Sequence, residues 1–106
     1  MRMTASPPLS PAQGGPLYFV LCDFGPKIGR AYLETDPDKA DRETVLNLLM
    51  RGEYTGPMQV IEVDLEAGRS RDVSVEFAEA ILDRTALDNL PADAGMFVSL
   101  RAGLRI

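Results

Sequence analysis

The run Leu17-Tyr18-Phe19-Val20-Leu21-Cys22-Asp23-Phe24 carries a single charge, at Asp23, and is rich in β-forming side chains. A strand with one wet face alternates polar and apolar residues, whereas an unbroken apolar run implies cover on both faces or neighbours on both edges. This run therefore belongs at the centre of a sheet, and the rest of the chain must supply its surroundings. Gly25-Pro26-Lys27-Ile28-Gly29 has turn residues at both ends. Arg30-Ala31-Tyr32-Leu33-Glu34 then alternates as a half-buried second strand does. A hairpin with a loop of about five residues is the economical reading.

Asp36-Pro37-Asp38 breaks the second strand, and the pattern predicts a helix over Arg42–Arg51. Asp41 supplies an N-cap oxygen and Glu43 suits the positive end of the dipole. Val45, Leu48 and Leu49 form an apolar stripe widened by Leu46 and Met50, and Gly52 can hold the left-handed terminating residue. After the loop Tyr54-Thr55-Gly56-Pro57, a third strand places Gln59, Ile61, Val63 and Leu65 on one face, with Glu62 and Asp64 on the other. Glu66–Ser70 reads as a polar turn. A second helix is expected from Asp72 or Ser74, lined by Phe77, Ala80, Ile81 and Arg84 and broadened by Ala78 and Leu82. Beyond about residue 86, Pro91, Phe97, Leu100, Gly103 and Leu104 suit a short helix, whereas Met96-Phe97-Val98 suits a strand and Gly95 weakens the helix. Helix is the preferred reading.

The expected fold class is α+β. A small three-stranded, mainly antiparallel sheet has the first strand at its centre, with helices on one face. The order is strand, strand, helix, strand, helix and a C-terminal helix. Residues 17–106 form one domain behind a Pro/Gly-rich leader, residues 1–16, which lacks the apolar stretch of a secretory signal.

Composition excludes several chemistries. There is no histidine, which removes imidazole acid–base catalysis and imidazole metal ligation. The one cysteine, Cys22, permits no internal disulfide and no multi-cysteine metal site, and fits a cytoplasmic setting. Eleven Lys and Arg against sixteen Asp and Glu leave a net charge of −5. That balance argues against a nucleic-acid footprint and against anionic membranes. No cofactor or metal is implied.

The apparent motifs fail on spacing. Asp23-Phe24-Gly25 spells a kinase magnesium loop but lacks every companion motif, and reads as a strand end entering a turn. Asp36, Asp38 and Asp41 lack the central glycine and twelfth-position Glu of a calcium loop. Gly25 and Gly29 flank Lys27 without the Gly-Lys-Ser/Thr of a phosphate loop. Cys22, without a basic partner, reads as a core residue.

Three candidate sites survive. Lys27, Arg30, Arg69 and Arg71 could gather into a basic spot for a carboxylate or phosphate, or form solvated pairs with Glu62, Asp64 or Asp72. Tyr32 and Tyr54 could be exposed interface anchors, although Tyr54 also suits packing under a helix end. Asp23 with Glu62 or Asp64 could do carboxylate acid–base work if they met in a pocket.

The segment from Tyr18 to about Thr85 resembles a set of short bacterial proteins to which no activity is attached. The likeness rests on Tyr18-Phe19-Val20-Leu21, Asp23-Phe24-Gly25, Gly29-Arg30-Ala31, Asp41-Arg42-Glu43-Thr44-Val45 and Arg71-Asp72-Val73-Ser74, among others. It implies no ligand and no functional residue. The resulting expectation is a non-enzymatic protein-binding or regulatory module, with self-association through a sheet edge as one version. An anion- or small-ligand-binding domain using the arginines is the alternative.

Overall fold

The run at Leu17 does form the centre of a sheet. A computed structural model describes residues 15–32 and 39–102. In chain order the elements are β1 (Leu17–Asp23), β2 (Arg30–Tyr32), α1 (Arg42–Met50), β3 (Pro57–Asp64), β4 (Arg69–Asp72), α2 (Ser74–Arg84), a short 3-10 turn at Leu87–Asn89 and α3 (Ala92–Arg101). The strands pair antiparallel in the order β2-β1-β3-β4. The fold is α+β with a four-stranded antiparallel sheet and three helices. The leader up to residue 14, Leu33–Asp38, and Gly103 and Leu104 lie outside the described residues.

One strand more is present than the sequence suggests. Arg69–Asp72, read as part of a turn and a helix start, is the strand β4 on the outer edge of β3. Its four residues are polar and exposed, so no apolar alternation marks it. Its order comes from the tight turn at residues 65–68 and from pairs such as Glu62 opposite Arg71, an opposite-charge cross-strand pair.

The first helix follows its sequence signals closely. Asp41 Oδ2 accepts the Thr44 N–H at 3.0 Å, the N-cap bond, and Gly52 takes φ +75° just past the C-terminus. A Cβ at Gly52 would also lie 2.8 Å from Pro91 Cβ, so the position admits glycine on two counts. Val45, Leu46 and Leu49 are the residues α1 buries. In α2 the buried stripe is Phe77, Ala78 and Ile81, whereas Leu82 is exposed. Ser74 opens α2 but does not cap it, because its hydroxyl accepts the buried Val60 N–H at 2.9 Å. Residues 92–101 are helical, with Phe97 and Val98 buried and Met96 and Leu100 exposed.

All three helices pack on one face of the sheet. That core joins Tyr18, Val20, Cys22 and Val60 to Val45, Leu49, Phe77, Ile81 and Phe97. The Tyr18 and Phe77 rings meet at a 5.4 Å centroid separation, and the Arg42 guanidinium sits 5.5 Å from the Phe77 centroid. Arg84 binds Glu43 through both terminal nitrogens, at 2.7 and 3.0 Å, joining α2 to α1. None of the described helices is long and apolar enough to cross a membrane.

Candidate functional site

The face of the sheet turned away from the helices is apolar as well. Directly paired residues in an antiparallel ladder share a face. Phe19 pairs with Ile61, and Leu21 pairs with Gln59 on one side and Tyr32 on the other. Val63, two residues beyond Ile61, falls on this face too. The strand β3 alternates as its sequence predicts, but its apolar set, Ile61 and Val63, faces away from the helices. Val60 is the residue β3 sends into the core, while Glu62 takes a place beside Tyr18. Period-2 patterning separates two faces without saying which one the helices will cover. Leu65 lies outside the strand and is exposed.

Phe19, Leu21, Ile61 and Val63 are half-buried, and Tyr32 is 53% exposed. Phe19, Tyr32, Ile61, Val63 and Ser70 border a shallow depression of about 440 Å3. Polar groups on the edge strands ring it. Arg30 lies on β2, and on β4 Asp72 Oδ2 accepts from Gln59 Nε2 at 2.6 Å. Of the two tyrosines singled out from sequence, only Tyr32 is available as an anchor. Tyr54 is buried at 5% exposure, and burial pushes its hydroxyl pKa up to about 12.

The four basic candidates do not gather. Arg30 stands on the β2 edge and Arg69 and Arg71 on the β4 edge, three ladder spacings or roughly 14 Å apart. Lys27 is exposed in the hairpin loop. Arg71 is already engaged, with Nε 3.0 Å from Glu62 Oε1 and Nη1 2.7 Å from Glu76 Oε2. Glu62 is the hub of this group, since its other oxygen accepts the Tyr18 hydroxyl at 2.7 Å. The Tyr18 bond and then Arg71 hold the Glu62 carboxyl below its usual range. Burial first, and the bond to Glu62 second, push the Tyr18 hydroxyl up to about 12. The shallow 330 Å3 hollow beside Arg69 and Arg71 is lined by Glu62 and Asp64 as well, so its charges balance.

The carboxylate pairs proposed from sequence are also separated. Asp23 ends β1, whereas Glu62 pairs with Tyr18 near its start, about five residues or ~17 Å along the strand. Among the described residues no group of three or more Cys, Asp or Glu side chains could hold a metal ion. Cys22 is fully buried, and burial pushes its thiol pKa up, away from reactivity. Asp23 turns the chain as its position suggests, its Oδ1 accepting the Gly25 N–H at 2.9 Å.

What the sequence reading missed is therefore a surface. Its signal lies in β1, whose side chains are apolar in both directions, whereas a sheet with helices on one face needs apolar side chains in only one. Comparison with protein-family models, curated proteins and solved structures finds no match to this chain.

Proposed function

We propose that this protein is a non-enzymatic protein-binding module that docks through the helix-free face of its sheet, and that the occupant this face fits is a second copy of the chain. One observation carries the reading: β1 and β3 hold apolar side chains on both faces, while the described helices cover only one. Antiparallel sheets with a solvated face ordinarily make that face polar. Here Phe19, Leu21, Ile61 and Val63 occupy its centre with Tyr32 beside them. Contiguous exposed apolar patches of this kind mark interaction sites.

The anatomy of the face favours sheet against sheet, and its size sets the strength of the pairing. Strands of 7, 3, 8 and 4 residues, at a rise of about 3.4 Å and a spacing of about 4.8 Å, present roughly 350 Å2 per copy. Two copies then bury about 700 Å2, below the roughly 1,000 Å2 of a stable specific interface, which implies a weak and transient dimer. An apolar centre with Arg30, Ser70 and Asp72 at its margins has the layout of an interface core and rim. Pairing through the β4 edge is disfavoured by its charged side chains, a usual guard against edge association. The cytosol is the setting that suits the single buried thiol of Cys22.

Sedimentation equilibrium tests the reading directly. The chain should be dimeric at roughly 500 µM and dissociate on dilution, and Ile61→Lys should be monomeric throughout with an unchanged circular-dichroism spectrum. A strict monomer at the highest concentration, or a dimer indifferent to Ile61→Lys, overturns it.

A further inference from the structure

A separate cleft lies where β1 ends and β3 begins, closed on its other side by α3. It arises from a slip in the strand register. Leu21 pairs with Gln59 but Cys22 pairs with Pro57, which leaves Met58 at the irregularity. Gly56 approaches β1 so closely that a Cβ there would lie 2.5 Å from the Asp23 carbonyl oxygen, and its own carbonyl accepts the Asp23 N–H at 2.8 Å. Helix α3 is tied alongside at both ends. Asp93 Oδ1 makes a long 3.4 Å contact with the Gly56 N–H, and Arg101 donates from Nε to the Met58 carbonyl at 2.7 Å. The cleft is thus formed before any ligand arrives, which lowers the cost of binding.

Its volume is about 350 Å3, with Pro57, Met58, Met96 and Leu100 as walls and the carboxylates of Asp23 and Asp93 beside them. Met96 is 65% and Leu100 46% exposed, one turn apart on the same side of α3. Methionine walls adapt to varied aliphatic side chains. Among the described residues neither Asp23 nor Asp93 forms an ion pair, whereas Glu43, Glu53, Glu62 and Glu76 all do. Arg101 directs its guanidinium to the Met58 carbonyl and forms no ion pair with either.

We infer that this cleft binds a short segment of a partner protein in which an arginine or lysine is flanked by aliphatic residues. The aliphatic side chains lie against Met58, Met96 and Leu100, and the cation sits at Asp23 and Asp93. An apolar floor with two carboxylates excludes an anionic segment and gives a purely apolar one nothing to balance the charge. This inference is independent of the sheet-face dimer, because the two surfaces have different residues and different occupants.

The test is an amide chemical-shift titration of the intact chain with the capped peptide Leu-Arg-Leu-Leu-Arg-Leu, paired with a control in which both arginines are replaced by glutamate. The expected result is saturable shifts at Gly25, Gly56, Asp93 and Met96, with no response to the glutamate peptide. Asp93→Asn and Asp23→Asn should each weaken binding by roughly 5- to 10-fold, as loss of a charge-assisted contact does. Asp83→Asn, an exposed acidic change on α2, should leave it unaltered. Raising the salt to about 1 M, where the Debye length shrinks to about 3 Å, should weaken it as well. Absence of shifts at about 2 mM peptide, equal binding of the glutamate peptide, or indifference to both aspartate variants overturns the inference. So do shifts confined to Phe19, Ile61 and Val63, which would leave the sheet face standing as a docking surface and remove the cleft.

Discussion

The two faces of the sheet are built from similar side chains and end in different surroundings. On the covered face Tyr18, Val20, Cys22 and Val60 pack beneath Val45, Leu49, Phe77 and Ile81. Polar groups there are satisfied: Ser74 accepts the Val60 N–H, and Glu62 is shared by Tyr18 and Arg71. On the opposite face Phe19, Leu21, Ile61 and Val63 form an equally apolar ladder with none of the described helices over it. Alternation along a strand thus specifies that a surface is to be buried, and leaves open what buries it. The chain's own helices answer for one face, and a second molecule is our proposal for the other.

Truncation of the covered face should show the largest effect. Phe77→Ala removes a fully buried ring that contacts Tyr18, and should cost about 3–5 kcal/mol in denaturant unfolding. A loss under about 1 kcal/mol would mean that this face is not the core. Ser74→Ala comes next. It strips the acceptor from a buried N–H, so a loss of about 1–3 kcal/mol is expected, with Val60 exchanging its amide proton faster than in the parent. Equal exchange rates would show that the bond contributes little. Ile61→Thr probes the other face and should cost below about 1 kcal/mol in the dilute monomer, since the side chain is only half-buried there. The same change should weaken dimerisation at least 10-fold. A monomer destabilised as heavily as by Phe77→Ala would show that the chain itself covers this face, and the docking proposal would fall.

How much of this was legible depended on whether the information was local. Asp41, the Val45–Leu49 stripe and Gly52 state α1 almost completely, because cap, face and stop all lie within one short segment. The central place of β1 could be read from its unbroken apolar run, and its neighbours β2 and β3 followed. The strand β4 could not, because Arg69-Ser70-Arg71-Asp72 has no apolar pattern and owes its order to pairing with β3. The orientation of β3 was likewise invisible, since a single-residue rotation exchanges Val60 for Ile61 at the core. For α3, three adjacent apolar residues, Met96-Phe97-Val98, fit either period, and packing decided for helix. The cleft depends on a register slip in β3 and on residues of α3 far along the chain, so no window of sequence contains it.

The smallest effect expected concerns a carboxylate held against the covered face. Glu62 accepts from the Tyr18 hydroxyl and from Arg71, and both interactions hold its carboxyl below the usual range in the folded chain. A depressed folded value stabilises the native state above the unfolded carboxylate value, about 4.3, and that stabilisation disappears as pH falls through the folded value. Glu62→Gln retains an acceptor for Tyr18 but loses the charge that Arg71 pairs with. The variant should therefore be slightly less stable than the parent at pH 7, and the gap should close on acidification, as pH falls through the lowered folded value of the parent's own carboxyl. Urea unfolding of both proteins at several pH values measures the gap. A difference that stays constant from neutral to acid would assign the role of Glu62 to packing beside Tyr18, and the charge between β3 and β4 would then count for nothing in the hold of the sheet.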